Sequence, residues 1–225
     1  MSGIRKRFAD GMKFTDNPTE LTTAATDLCL ALAAIGGFWY LHWLKATDLW
    51  KLNVWSAAFG FIALSAALGC IVHGLLLPQA VYARVWQAIN LSLGFAVSLF
   101  VVGVVYDFWG PTTAQRMLPV LIGAAVVFFV VTKTYPGIFF VFVVYEALAL
   151  TFAFGIYVWL AISGQCAGAV PMAGGILISL VAAGLQACKR ISLNLIWSFD
   201  HNGVFHLVQM VGLSFLVAGL RLSLR

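Results

Sequence analysis

Charge is what this sequence has least of. Only 9% of its 225 residues are Asp, Glu, Lys or Arg, against roughly 25% in a typical soluble domain. A folded chain of this size cannot cover a water-facing surface with so few charges, which excludes a soluble globule. Cysteine is also scarce, at four, so no disulfide scaffold is encoded. The six Pro and 21 Gly follow no tandem period, which excludes a collagen. What fills the chain is apolar: 62% of residues are hydrophobic, a content that excludes disorder and makes lipid the solvent.

An apolar helix of about 20 residues crosses a hydrocarbon core about 30 Å thick. Seven such runs are cut by polar or turn-forming residues, near residues 22–44, 54–77, 85–109, 117–131, 137–163, 167–188 and 202–220. The separators include Lys45-Ala46-Thr47-Asp48, Pro78-Gln79, Gly110-Pro111 and Lys189-Arg190. No internal repeat is visible, and no loop is long enough to fold alone. The runs are continuous rather than alternating, so helices rather than a barrel satisfy the backbone in lipid. The expected fold is all-α, an integral membrane bundle of seven transmembrane helices. Residues 1–21 form a polar basic N-terminal tail, 22–221 the single transmembrane domain, and 222–225 a short C-terminal tail.

The tail carries Arg5, Lys6, Arg7 and Lys13 without the short apolar core and cleavage site of a signal peptide. Lys and Arg are somewhat more numerous on its face of the membrane, which places the N-terminus in the cytoplasm, with a bacterial inner membrane as the expected location. The net charge of +5 is scattered over loops and tails, so no nucleic acid partner is implied; the expected partners are membrane lipids. The tryptophans, among them Trp39, Trp43, Trp50, Trp55 and Trp109, mostly fall near span ends and read as an interfacial belt. Pro119 and Pro171 fall in the first turns of their spans, where a missing N–H costs little.

Ionisable residues inside spans are costly, and so mark sites. They are Asp27, His42, His73, Asp107, Glu146, His201 and His206. Odd spans begin at the N-terminal face and even spans end there, so Asp27, His73, Asp200, His201, Asn202 and His206 share one leaflet. His42 and Asp107 belong to the other. His73 precedes Pro78 by five residues and His206 follows Asp200 by six, so each imidazole lies roughly 7–9 Å inside at the helical rise. Two imidazoles at one depth are a nucleus for a metal site; they serve equally as hydrogen-bonding links between helices. His201 becomes a third ligand if the helix starts after it, with Asn202 as cap or supporting partner. Cys70, three residues before His73, is the other candidate. Asp27, at the wet start of its span, also fits simple compensation of the helix dipole. Glu146 stands almost alone near mid-membrane.

Seven spans, a His late in the second, and Asn202-Gly203-Val204-Phe205-His206 opening the seventh resemble the superfamily of alkaline ceramidases, progestin and adiponectin receptors and related membrane hydrolases. The chain is most similar to a bacterial seven-span group at the edge of that superfamily. There the second span carries Ser-x-x-x-His, the third opens with Asp, and the seventh carries His-x-x-x-His. The three histidines hold a zinc whose water cleaves an amide. His73 and His206 match. Gly69 stands in the place of the Ser, Asn202 in that of the first seventh-span His, and Arg84-Val85-Trp86-Gln87 offers no Asp.

The resemblance implies a zinc-dependent hydrolase of a lipid amide or ester, with His73, His206 and His201 on the metal and Asp200, Asp27 or Glu146 as proton-transfer group. Two alternatives remain: a receptor-like or accessory subunit that kept the fold and lost the chemistry, and a haem electron carrier using two facing histidines as axial ligands.

Overall fold

A computed structural model describes residues 13–44, 46–135 and 139–224. Seven helices follow one another: α1 (Pro18–Trp43), α2 (Leu49–Gly74), α3 (Gln79–Trp109), α4 (Pro111–Thr134), α5 (Phe139–Ser163), α6 (Ala169–Ala187) and α7 (His201–Ser223). Each is long and apolar enough to cross a membrane, so the protein is a multi-pass seven-helix bundle. The strands Leu193–Asn194 (β1) and Ser198–Phe199 (β2) pair as a two-stranded hairpin before α7.

Most helices start earlier than apolar content suggests, because caps and not hydropathy set their ends. Asn17 accepts from Thr19 N at 3.1 Å and Pro18 opens α1. Asp48 accepts from Lys51 N at 2.9 Å and starts α2 five residues before the expected run. At the α3–α4 corner Gly110 takes φ 83°, a left-handed conformation glycine adopts without strain, and Pro111 opens the next helix. With α4 beginning there, Pro119 lies inside the helix rather than in its first turn, which corrects the expectation. Pro171, two residues into α6, keeps its expected place.

The helices close a ring in which α1 packs on α2 and α7, α2 on α3, α3 on α4 and α5, α5 on α6, and α6 on α7. The core at its centre includes Leu41, Trp55, Phe59, Tyr157, Leu160, Met172, Ile176 and Leu213. Trp55 is therefore no belt residue. Its ring is fully buried against Gly103 and edge-on to Phe100, whereas Trp39, Trp43, Trp109 and Trp159 are exposed as a belt requires. Helices α6 and α7 approach through small residues: a β-carbon on Gly175 would lie 2.8 Å from Gly212 O, and one on Gly212 2.9 Å from Ser179 Oγ. Such close backbone contact is how helices associate where lipid supplies no hydrophobic drive.

Of the basic tail, Arg5, Lys6 and Arg7 lie outside the described residues. Residues 13–15 do not hang free: Thr15 N donates to Gly74 O at 3.0 Å and Leu76 N to Lys13 O at 2.9 Å, pinning the chain across the end of α2.

Candidate functional site

The first half of α1 repeats hydroxyls at helical spacing, Thr19, Thr22, Thr23 and Thr26, followed by Asp27. This stripe faces the hairpin and the start of α7. Thr22 Oγ1 donates to Ser198 O at 2.7 Å and Thr23 Oγ1 to Asp200 Oδ1 at 2.8 Å. Asp200 is the N-cap of α7 and also accepts from Gly203 N at 2.9 Å. One turn further in, His206 meets the same stripe. Its Nδ1 lies 3.0 Å from Thr26 Oγ1 and its Nε2 3.2 Å from Asp27 Oδ1, with both side chains almost wholly buried.

With Thr26 donating its one hydroxyl proton to Thr23 O at 2.9 Å, it accepts toward His206, and in that tautomer Nδ1 carries a hydrogen. Nε2 and Asp27 Oδ1 then share one proton: either a carboxyl donates to a neutral ring, or an imidazolium donates to a carboxylate. Both forms are electrically neutral overall, which is what low-polarity surroundings favour.

Among the described residues nothing hydrogen-bonds Asp27 Oδ2, which is buried. The carboxyl lies in the notch of Gly69 on α2: a β-carbon there would stand 2.7 Å from Oδ2 and 2.8 Å from Oδ1. Cys70 follows Gly69 on α2. Nearer the membrane edge His73 Nδ1 lies 2.6 Å from Glu20 Oε2, its ring edge-on to Trp86. On α7, Asn202, His206 and Gln209 fall at i, i+4 and i+7, one face of the helix. Asn202 donates to Asp200 Oδ2 at 3.5 Å and accepts from Gln186 Nε2 at 3.4 Å, while the Gln186 and Gln209 oxygens are buried without partners.

Asp27, His73, His206, Asp200, Asn202 and Cys70 thus gather at one end of the bundle. Three readings of this group need correction. Asp27 is the tenth residue of α1, far beyond the first turn, so it does not compensate the helix dipole; Glu20 occupies that turn. Asp200, not Asn202, caps α7. His201 is already the first residue of that helix, its Nδ1 3.9 Å from Asp200 Oδ2, so the condition that would free it to swing inward is not met.

A zinc or haem needs imidazole nitrogens turned to a common point. His206 has both nitrogens engaged by α1, and His73 has one on Glu20. Among the described residues no group of three or more His, Cys, Asp or Glu side chains could hold a metal ion. The side chains as arranged therefore do not fit the zinc of the resembled hydrolases, nor a haem between two histidines.

Glu146 stands apart, the eighth residue of α5, with no hydrogen bond or ion pair among the described residues. Sequence reading missed the threonine stripe, legible from its i, i+3, i+4, i+7 spacing, and also missed Lys51. Lys51 Nζ lies 2.5 Å from Asp107 Oδ1 in the opposite leaflet. Tyr157 donates to Asp107 Oδ2 at 2.6 Å, and Lys51 reaches Ser223 Oγ at 3.1 Å. Tyr106 donates its hydroxyl to Asp48 Oδ2 alongside. This second cluster has its polar atoms satisfied by one another, as in a structural clasp.

No curated protein and no solved structure matches the chain. A family model matches residues 22–225, from within α1 to beyond the end of α7, and the chain belongs to that family, a family of unknown function (DUF6962).

Proposed function

We propose that the chain is a receptor-like or accessory membrane protein in which His73 and His206 act as hydrogen-bonding side chains between helices rather than as zinc ligands. The observation that carries this is the engagement of both His206 nitrogens by Thr26 and Asp27 of α1. Its polar end, with Glu20, Thr23, Asp27 and Asp200, joins α1 to α2 and α7 and holds a proton in the low-polarity interior. The basic tail and the resemblance to a bacterial group support a bacterial inner membrane with the N-terminus on the cytoplasmic side.

A ceramidase-like hydrolase acting on a lipid amide or ester is the second reading. What favours it is Asp27 Oδ2, a buried acceptor without a partner among the described residues. Such a carboxyl, relayed by His206, could take a proton from an attacking water. Element analysis of untagged, detergent-purified protein beside its His73→Ala and His206→Ala variants separates the two. The accessory reading expects no stoichiometric metal in any of the three and no turnover of a panel of acyl-amide and ester lipids. One zinc per chain, lost in both variants, would overturn it and restore the hydrolase.

A further inference from the structure

Glu146 poses a separate question. Along α5 the buried residues are Phe142, Leu150, Ala153, Tyr157 and Leu160, and at 100° per residue Glu146 falls in the middle of that stripe. Leu150, one turn on, belongs to the core shared with α1, α2 and α7. Glu146 itself is only partly buried and makes no hydrogen bond or ion pair among the described residues. A carboxyl on the inward stripe of its helix with no such partner calls for water to satisfy it in a low-polarity interior.

Helix register puts that space in line with the polar end. Gly69 lies beside Asp27, His73 beside Trp86, and Tyr145 donates to Gly94 O at 3.3 Å. Carried across α2, α3 and α5, these contacts set Glu146 about 7.5 Å deeper than Asp27 at 1.5 Å per residue. Gln209 lies between, about 4.5 Å beyond His206 along α7. From the membrane edge inward the order is Glu20 with His73, then Asp27 with His206, then Gln209, then Glu146. The unpartnered buried atoms in this series, Asp27 Oδ2 and Gln209 Oε1, are both acceptors, and so is Gln186 Oε1 at the mouth. Acceptors without donors call for water, which brings two.

We propose that these groups line a hydrated half-channel carrying protons between the face where α1 begins and Glu146 near mid-membrane. A proton from hydronium at the mouth reaches Asp27 Oδ2 through water while the proton on Oδ1 moves to His206 Nε2. Oδ2 then releases a proton to water on the far side and the Nε2 proton returns to Oδ1, so the pair ends with the charge it began with, and the water beyond hands its extra proton to the Glu146 carboxylate. The net change is one hydronium consumed, one water left, and one carboxylate converted to carboxyl. Beyond Glu146 the next ionisable groups are Lys51 and Asp107, already satisfied by each other, Tyr157 and Ser223, so the path stops half-way.

Infrared difference spectroscopy of the full chain in lipid nanodiscs, on switching from H2O to D2O below neutral pH, tests this. A carbonyl band of a protonated carboxyl that Glu146→Gln removes should shift on deuteration within the mixing time. In Gln209→Leu, which fills the passage with an apolar side chain of similar size, the same band should exchange measurably more slowly while thermal stability and monodispersity match wild type. His206→Phe should slow it as well. A Glu146 band that never exchanges, no band assignable to Glu146 at any pH, or exchange equally fast in wild type, Gln209→Leu and His206→Phe would each overturn the proposal.

Discussion

Asp107→Asn tests how much a satisfied ion pair in the membrane contributes to this fold. Lys51 Nζ lies 2.5 Å from Asp107 Oδ1, with side-chain exposures of 6% and 4%, and joins α2 to α3. Tyr157 of α5 donates to the second oxygen of Asp107 at 2.6 Å, and Lys51 donates to Ser223 Oγ of α7 at 3.1 Å. The amide of Asn keeps the shape and an acceptor for Tyr157 but removes the charge, leaving a buried ammonium facing neutral oxygens. Breaking a buried pair on one side costs about 3–5 kcal/mol, against about 0–1 kcal/mol for an exposed pair. For a chain of this size that corresponds to a fall in Tm of roughly 6–20 °C. Thermal unfolding in detergent, followed by circular dichroism, reads the shift. The double variant Lys51→Met, Asp107→Leu, which removes both charges and keeps bulk, should recover most of the loss. A single-variant loss below about 1 kcal/mol, or a double variant no better than the single, would show that the pair is solvated and refute the reasoning.

Two further outcomes are expected outside the spanning helices. At Asp48, burial alone would raise the carboxyl, but the Tyr106 hydroxyl, the Lys51 and Trp50 N–H groups and the Lys51 charge together hold it below its ordinary 3.8. A depressed folded value means stability that is present above the unfolded pKa and lost as pH falls through the folded one. Thermal stability should therefore fall below about pH 4, and the acid slope should flatten in Asp48→Asn; an unchanged slope counts against the assignment. At Cys166, burial and the nearby Asp107 charge push the thiol up, whereas Cys188 is exposed. An impermeant maleimide at neutral pH should label Cys188 well before Cys166 in detergent, and equal rates would contradict that placement.

The number and order of helices were legible because long apolar runs in lipid admit little else. Depth was legible as well, which is why Asp27, His73 and His206 were assigned to one leaflet. Two things were not. Most helices start earlier than their apolar runs, since an apolar window closes where the first polar residues appear although the capped helix runs on into the interface. With α1 starting at Pro18 rather than at residue 22, Asp27 moves from the wet first turn into a buried site. With α2 starting at Leu49, Trp55 moves from the belt into the core and Lys51 from the surface into an ion pair. The second gap is azimuth. One sequence gives how deep His206 lies but not that Asp27, rather than His73, meets its Nε2.

The absence of the superfamily's Ser at residue 69 and the presence of an acid on α1 are two aspects of one packing arrangement. Asp27 fills the notch that Gly69 leaves open, with both oxygens closer to a would-be β-carbon than ordinary contact permits. Gly69→Ser would therefore drive the carboxyl off His206 rather than complete a hydrolase motif. Overpacking of this kind costs about 1–3 kcal/mol. Asp27→Ala alone also costs, by leaving His206 Nε2 without its partner. Combined, the two changes remove the clash, since truncating the acid to a methyl group leaves room for the new hydroxyl, so the double variant should be more stable than the sum of the singles by about 0.5–3 kcal/mol. A double-mutant cycle in detergent unfolding measures that coupling directly. Strict additivity would mean that Gly69 and Asp27 do not share the space, and the acid on α1 would then have no steric link to the missing serine.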